Sequence, residues 1–107
     1  MKWKKLGKIF DPTKNELISN CREYAQSPQV LSFHNFVRIY FATREKDKSG
    51  KYLSHISFID IDSNLQNILS VSTKTVIELG ELGCFDEHGI SLMNVLRVKN
   101  KVYGYTN

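Results

Sequence analysis

Apolar and polar positions alternate along this chain in a series of short runs, which is the pattern of half-buried β-strands. The segment "QVLSFHNFVRIYFATRE" predicts two strands around a tight turn at His34 and Asn35. Asparagine suits this position because it readily adopts the left-handed backbone that hairpin turns require. The second strand carries apolar residues on both faces, which predicts a strand covered on both sides.

Further alternating runs predict the rest of a β protein. A charged turn, "EKDKSGK", leads into the strand "YLSHISFIDID", and "NILSVST" predicts another short strand. The segment "ISLMNVLRVKNKVYGYT" predicts a second hairpin that turns at residues 99–101. The pattern therefore predicts an all-β fold of six or seven antiparallel strands joined by hairpins. A sandwich, a barrel and part of a propeller all fit it.

One segment departs from the strand pattern. In "NELISNCREYAQ", Leu17, Cys21 and Tyr24 fall at helical spacing, as do Ile18 and Ala25. A proline at position 28 would end such a helix soon afterwards. The sequence leaves two alternatives for this segment, a short helix or an ordered loop.

Length and composition bound the fold and its location. A chain of 107 residues with 41% hydrophobic residues predicts one small domain with a buried core. No run approaches the roughly 18 apolar residues of a membrane span, and the basic N-terminus lacks the features of a secretory signal. We therefore expect a cytoplasmic protein with no membrane partner. The two cysteines are far apart and indicate neither a disulfide framework nor a zinc site.

The charge of the chain is moderately basic, with a formal net charge of +4. Much of it lies in residues 2–8 and 44–51, where it could form a phosphate-binding patch. No aromatic-interleaved nucleic-acid motif accompanies these lysines and arginines. The distribution favours solvated strand ends and turns, and we expect no nucleic-acid partner.

Several familiar kinds of site are excluded by spacing. The stretch "DIDSN" opens like a calcium loop, but Leu65 and Val71 stand where that loop needs glycine and glutamate. The three histidines are scattered and no nucleophile-elbow serine is present, so a Ser-His-Asp hydrolase is not supported. We expect neither a metal nor a cofactor.

Three short stretches carry candidate binding chemistry. "YAQSP" joins the ring of Tyr24 and the amide of Gln26 just before a strand, and such groups are common in sugar recognition. Arg44 closes an aromatic strand, where it could pair with a carboxylate or a sugar hydroxyl, or simply be solvated. "ELGELGCFDEHGIS" places Asp86 and Glu87 on a glycine-flanked bend, either as an ordinary acidic turn or as the edge of a site.

Taken in order, these segments resemble the start of a five-bladed β-propeller glycosidase-like protein. The superfamily includes arabinanases, β-xylosidases, invertase-type enzymes and mannoside phosphorylases, and the chain is most similar to bacterial glycosidase-like proteins of polysaccharide gene clusters. The resemblance is carried by "WKKLGKIF", "YAQSPQVL", "VRIYFATRE", "HISFIDID" and "ELGELGCFDEHGIS". It implies that residues 1–107 form a single partial domain with roughly the first one and a half to two blades. A longer protein would supply the others.

The resemblance also implies a function and its residues. It implies a carbohydrate-active, glycoside hydrolase-like protein in which Asp86 is a catalytic funnel carboxylate. Gln26, Arg44 and Glu87 would bind the substrate. Ser27 stands where the family has its first acid, and the general acid of a later blade would lie beyond residue 107. We therefore expect this chain to be inactive alone, because most glycosidases use two carboxylates.

Two alternatives to an enzyme ancestry remain open at this point. One is a noncatalytic carbohydrate-binding module in which Tyr24, Tyr40 and Tyr103 stack on sugars. The other is a structural β unit that forms homo-oligomers through its open sheet edges.

Overall fold

The computed structural model describes residues 2–18, 21 and 23–106, with the backbone alone described at positions 92 and 93. A short 3₁₀ helix at Pro12–Lys14 precedes the strands. Six strands follow in the described residues: β1 Glu23–Ser32, β2 Phe36–Lys46, β3 Tyr52–Asp62, β4 Ile68–Val71, β5 Leu92–Val98 and β6 Lys101–Thr106.

Strands β1 to β4 form one antiparallel sheet in chain order, and β5 pairs with β6 in a separate antiparallel ribbon. The predicted all-β class and antiparallel hairpins are therefore confirmed. Strand β3 has the bounds that its alternation predicts, and the turn at residues 34–35 is closed by a bond from Phe33 N to Phe36 O of 2.9 Å.

Strand β2 is covered on both faces, as its apolar pattern predicts. One face carries Phe41, which packs with Ile59 and the loop residues Leu17, Ile18 and Cys21. The other face carries Tyr40, which packs against Ile56 and Ile90. The two clusters sandwich the sheet because β2 and β3 send alternate side chains to opposite sides.

The helix alternative for residues 15–26 is wrong where this segment is described. The loop alternative is correct for residues 15–18 and 21 and wrong for residues 23–26, and residues 19, 20 and 22 lie outside the described residues. Residues 23–26 belong to β1 and pair with β2. Leu17, Ile18 and Cys21 are buried against the sheet. Burial and strand pairing outweigh a weak helical spacing, because intrinsic helix propensity amounts to only tenths of a kcal/mol per residue.

A bidentate ion pair ties β2 to β3 near the end of the sheet at which β2 begins. Arg38 Nε and Nη2 donate to the two carboxylate oxygens of Asp60 at 2.8 and 3.0 Å. The guanidinium also lies 4.0 Å from the ring centre of Phe58, and Ser70 Oγ donates to Asp60 at 3.2 Å. Asp60, which opens the calcium-like stretch, is thus part of the sheet.

The turns that join the strands are held by aspartates. Asp47 Oδ1 accepts from the backbone N–H groups of Ser49 and Lys51 at 2.8 and 2.9 Å. Asp62 Oδ1 accepts from the N–H groups of Gln66 and Asn67 at 2.8 and 3.2 Å. The pKa of Asp47 is held below its usual value first by the Ser49 hydroxyl, which donates to Oδ1 at 2.7 Å, and then by these backbone bonds. The pKa of Asp62 is lowered first by the backbone N–H of Gln66, because these bonds favour the carboxylate form.

None of the helices in the described part of the chain has the length and hydropathy required to cross a bilayer.

Candidate functional site

The first half of β1 is irregular, and the irregularity lies at "YAQSP". The pairing of β1 with β2 shifts register on both sides of Gln26. Tyr24 and Ser27 have φ angles of 70° and 52°, which non-glycine residues rarely adopt and which cost free energy. The two bulges break the alternation of the strand and turn neighbouring side chains in new directions. Residues 23–28 are exposed.

Two tyrosines and two cations form a cluster at this end of the sheet. Arg44 Cζ lies 5.1 Å from the ring centre of Tyr24, and Lys46 Nζ lies 5.9 Å from that of Tyr52. The two rings meet edge to face with their centres 6.0 Å apart. We call these four residues the tyrosine–cation cluster. Its rings are accessible, since Tyr24 and Tyr52 are 38% and 44% exposed.

The predicted acidic bend folds into a series of tight turns over residues 81–90. Cys84 N donates to Glu81 O at 2.9 Å, and Gly89 N donates to Asp86 O at 3.1 Å. The carboxylate of Glu87 accepts from the N–H of Gly83 and pairs with His88 at 2.9 Å. Glu87 is therefore engaged within the bend itself.

The bend is fixed to the sheet through the start of β3. Gly89 forms a parallel bridge with Ser54, and Ile90 N donates to Ser54 O at 3.0 Å. Only glycine suits position 89, because its φ is 141° and a Cβ would lie 2.7 Å from Ser54 N. Gly80 is restricted too, because a Cβ there would overlap Asp86 Oδ1. This packing leaves Asp86 half-buried.

The pairing register brings the predicted site residues to one end of the sheet. Glu23 pairs with Arg44, Arg44 with Ser54, and Ser54 with Gly89, so these residues form a row across it. Neighbouring strands are about 4.8 Å apart, so the backbones of Arg44 and Gly89 lie about 10 Å apart. Gln26 pairs with Ala42, two residues before Arg44 on β2, so it lies in the same corner of the sheet, where β1 begins and β2 ends. Within the described residues, Arg44 and Asp86 do not form an ion pair.

The other aromatic candidates lie elsewhere. Tyr40 packs against Ile56 and meets Phe58 edge to face at 5.8 Å, so it belongs to the core. Tyr103, on β6, is 45% exposed and outside the tyrosine–cation cluster. Sequence reasoning missed Tyr52 and Lys46. Their positions in the sequence could have indicated them, because Lys46 and Tyr52 flank the charged turn. In the structure they lie directly opposite each other on β2 and β3.

Within the residues that the structure describes, no three histidine, cysteine, aspartate or glutamate side chains come together in a group suited to a metal ion.

Comparison with known proteins gives two relatives. The uncharacterized proteins MT1551 and Rv1502 of Mycobacterium tuberculosis, from strains CDC 1551 / Oshkosh and ATCC 25618 / H37Rv, are each 30% identical to this chain over 98 residues. The match covers 91% of this chain and 31% of each relative, so the chain spans less than a third of their length. No family model and no solved structure matches the chain.

Proposed function

We propose that this chain is part of a carbohydrate-active, glycosidase-like β-propeller protein, and that it binds carbohydrate at the corner formed by β1, β2 and the bend at residues 81–90. The observation that carries the proposal is the doubly bulged start of β1. Left-handed conformations at Tyr24 and Ser27 lie on either side of Gln26, and both Tyr24 and Gln26 are exposed. Strained backbone of this kind concentrates at functional sites.

The architecture supports the propeller part of the proposal. A four-stranded antiparallel sheet in chain order is the unit from which propellers are built. The β5–β6 ribbon would then begin a second unit, which gives about one and a half blades. The curated relatives, of which this chain matches 31%, have the length that further blades would need.

The chemistry of the corner supports binding rather than turnover. Asp86 is half-buried on the bend and would supply one carboxylate. Glu87 is engaged with Gly83 and His88, and the position of the family's first acid is a serine, Ser27. A serine hydroxyl cannot replace the second carboxylate that most glycosidases require.

A glycan array and a panel of aryl glycosides test the proposal together. We expect the chain to bind saccharides on the array, the Tyr24→Ala variant to lose that binding, and neither protein to release aryl alcohol. Tyr103→Ala is the matched control, because Tyr103 is exposed at a different place in the fold. An array without any bound saccharide would refute carbohydrate binding. Turnover that disappears in Asp86→Ala would refute the expected inactivity.

A second candidate function, a β-sheet interaction module, is favoured by one observation. An apolar trough of about 400 Å³ lies open on the Phe41 face, lined by residues that include Phe10, Val30 and Ile39. The edge strands β1 and β4 could add further chains by pairing. If this alternative is correct, light scattering should show that the chain forms a homo-oligomer. The Val30→Asp variant should then be monomeric, because Val30 lines the trough. A monomer at all concentrations would exclude this alternative.

A further inference from the structure

We infer that the proposed carbohydrate site prefers an acidic saccharide, whose sugar carboxylate is bound by Arg44. The inference rests on the proposed function and adds the class of sugar to it. It starts from the charges around the tyrosine–cation cluster. Among the described residues, Arg44 has no carboxylate within ion-pair distance, whereas Arg38, six residues earlier on the same face of β2, is neutralised by Asp60.

The acidic side chains of this region are largely engaged elsewhere. Glu45, between Arg44 and Lys46 in the chain, lies on the opposite face and pairs with His55 Nε2 at 3.0 Å. Asp47 accepts the N–H groups of its own turn. Glu23, across the strand from Arg44, is exposed and forms no ion pair with a described cation. No described carboxylate therefore neutralises the Arg44 guanidinium by an ion pair, and Lys46 adds a second cation to the cluster.

The cluster is also organised before any ligand binds. The ring of Tyr24 supports the Arg44 guanidinium, and Tyr52 in turn supports both Tyr24 and Lys46. A cation held on a ring keeps its N–H edge free and loses little side-chain entropy on binding. The planar guanidinium fork matches a carboxylate with two parallel hydrogen bonds. An exposed ring beside it offers the apolar face on which a sugar can stack.

Matched pairs of saccharides test the inference. The probes are oligosaccharides of galacturonate, glucuronate and mannuronate, each paired with its carboxyl-reduced counterpart, with inorganic phosphate as a sugar-free anion. Calorimetry with the full 107-residue chain measures the affinity for each. In at least one pair we expect the acidic member to bind roughly 10- to 100-fold more tightly, the range of a charge-assisted hydrogen bond.

Two variants of Arg44 and one control variant of Arg97 separate recognition of the sugar carboxylate from a general effect of charge. Arg44→Gln should remove the preference for the acidic member, and Arg44→Lys should lose most of it because the fork is gone. Arg97→Gln should keep it. Arg97 is a matched control because its guanidinium also lies over a ring, 5.0 Å from the centre of Phe33, but at the other end of the sheet. If the Arg44→Gln variant does not fold, Arg44→Lys, which keeps the charge, still tests the preference.

Each other outcome overturns the inference in a distinguishable way. Equal affinity for the two members of every pair would refute the preference and leave carbohydrate binding intact. Persistence of the preference in both Arg44 variants would refute the role of Arg44. Phosphate that binds as tightly as the best uronate would show an anion site without sugar recognition. No binding by any saccharide would refute the inference together with the proposed function.

Discussion

Single side chains in this protein take their chemistry from what they contact, and the two cysteines show the range. Cys21 is 1% exposed and packs with Phe41 and Ile59. Burial raises the pKa of its thiol to about 11, because a thiolate there would lose its solvation. Cys84 lies exposed on the acidic bend. One chain therefore holds a protected thiol and an accessible one.

We predict that a thiol reagent at about pH 8 modifies Cys84 rapidly and Cys21 only when the protein unfolds, since the thiolate is the reactive form. Mass spectrometry of the labelled peptides measures both rates. The Cys84→Ser variant should lose the rapid phase, and guanidinium chloride should expose Cys21. Rapid labelling of Cys21 in the folded protein would contradict its burial.

Asp62 gives a prediction for the pH dependence of stability. Its pKa is lowered in the folded protein by the backbone N–H of Gln66, then by the side chain and backbone of Asn67. A lowered folded pKa stabilises the protein above the unfolded value of about 3.9, and this stabilisation is lost as pH falls through the folded value.

We therefore expect Asp62→Ala to lower the melting temperature at about pH 6, and the difference from the wild type to shrink below about pH 4. Thermal melts followed by circular dichroism measure this. Ser63→Ala, in the same loop and without a titrating group, should shift the melting temperature equally at both values. A constant difference between Asp62→Ala and the wild type would argue against the carboxylate cap.

Among the elements, the strands that the sequence predicted best are those with strict alternation. The bounds of β3 followed from side-chain period, and the first hairpin followed from its apolar runs and the turn residues His34 and Asn35. The bulges around Gln26 did not, because a register shift depends on how β1 pairs with β2. The Arg38–Asp60 pair was equally hidden, since residues 22 apart in sequence meet only once the register of β2 and β3 is known.

For the candidate site, the sequence indicated individual residues but not how they come together. Gln26, Arg44 and Asp86 stood out by residue type and by resemblance to a family. Their common corner depends on the bridge between Gly89 and Ser54, which no local pattern indicates. Tyr52 and Lys46 were missed because a strand terminus after a charged turn is usually only solvated. Tertiary pairing, which short segments do not contain, decides all of these features.

The Arg38–Asp60 pair should be the main electrostatic link between β2 and β3. Asp60 is 9% exposed, and removing its cation leaves a nearly buried carboxylate with only the hydrogen bond from Ser70 among its described side-chain partners. We expect Arg38→Met to cost about 2 to 4 kcal/mol of unfolding free energy. Arg97→Met, at an exposed position, should cost less than about 1 kcal/mol. Urea unfolding measures both.

A double-mutant cycle with Asp60→Asn isolates the pair itself. We expect a coupling energy of at least about 1 kcal/mol between positions 38 and 60. Additive effects of the two substitutions would mean that Arg38 acts through its contact with Phe58 instead.

Across the whole molecule, the two faces and two ends of the main sheet differ in character. The Phe41 face carries the apolar trough, and the opposite face carries the Ile56 and Ile90 cluster. One end of the sheet combines accessible rings, two cations that form no ion pair with a described carboxylate, and the acidic bend. The other end holds Phe33, Phe36 and the guanidinium of Arg38. Binding at the first end is the central claim about this protein.

Amide chemical-shift mapping tests that claim most directly. A ¹⁵N-labelled chain is titrated with pooled arabino-, xylo-, manno- and glucurono-oligosaccharides. We expect saturable shifts at the start of β1, the end of β2, the start of β3 and the bend at residues 81–90. The turn at residues 34–35 should remain unaffected. Shifts confined to that turn or to the trough, or no shifts with any saccharide, would contradict it.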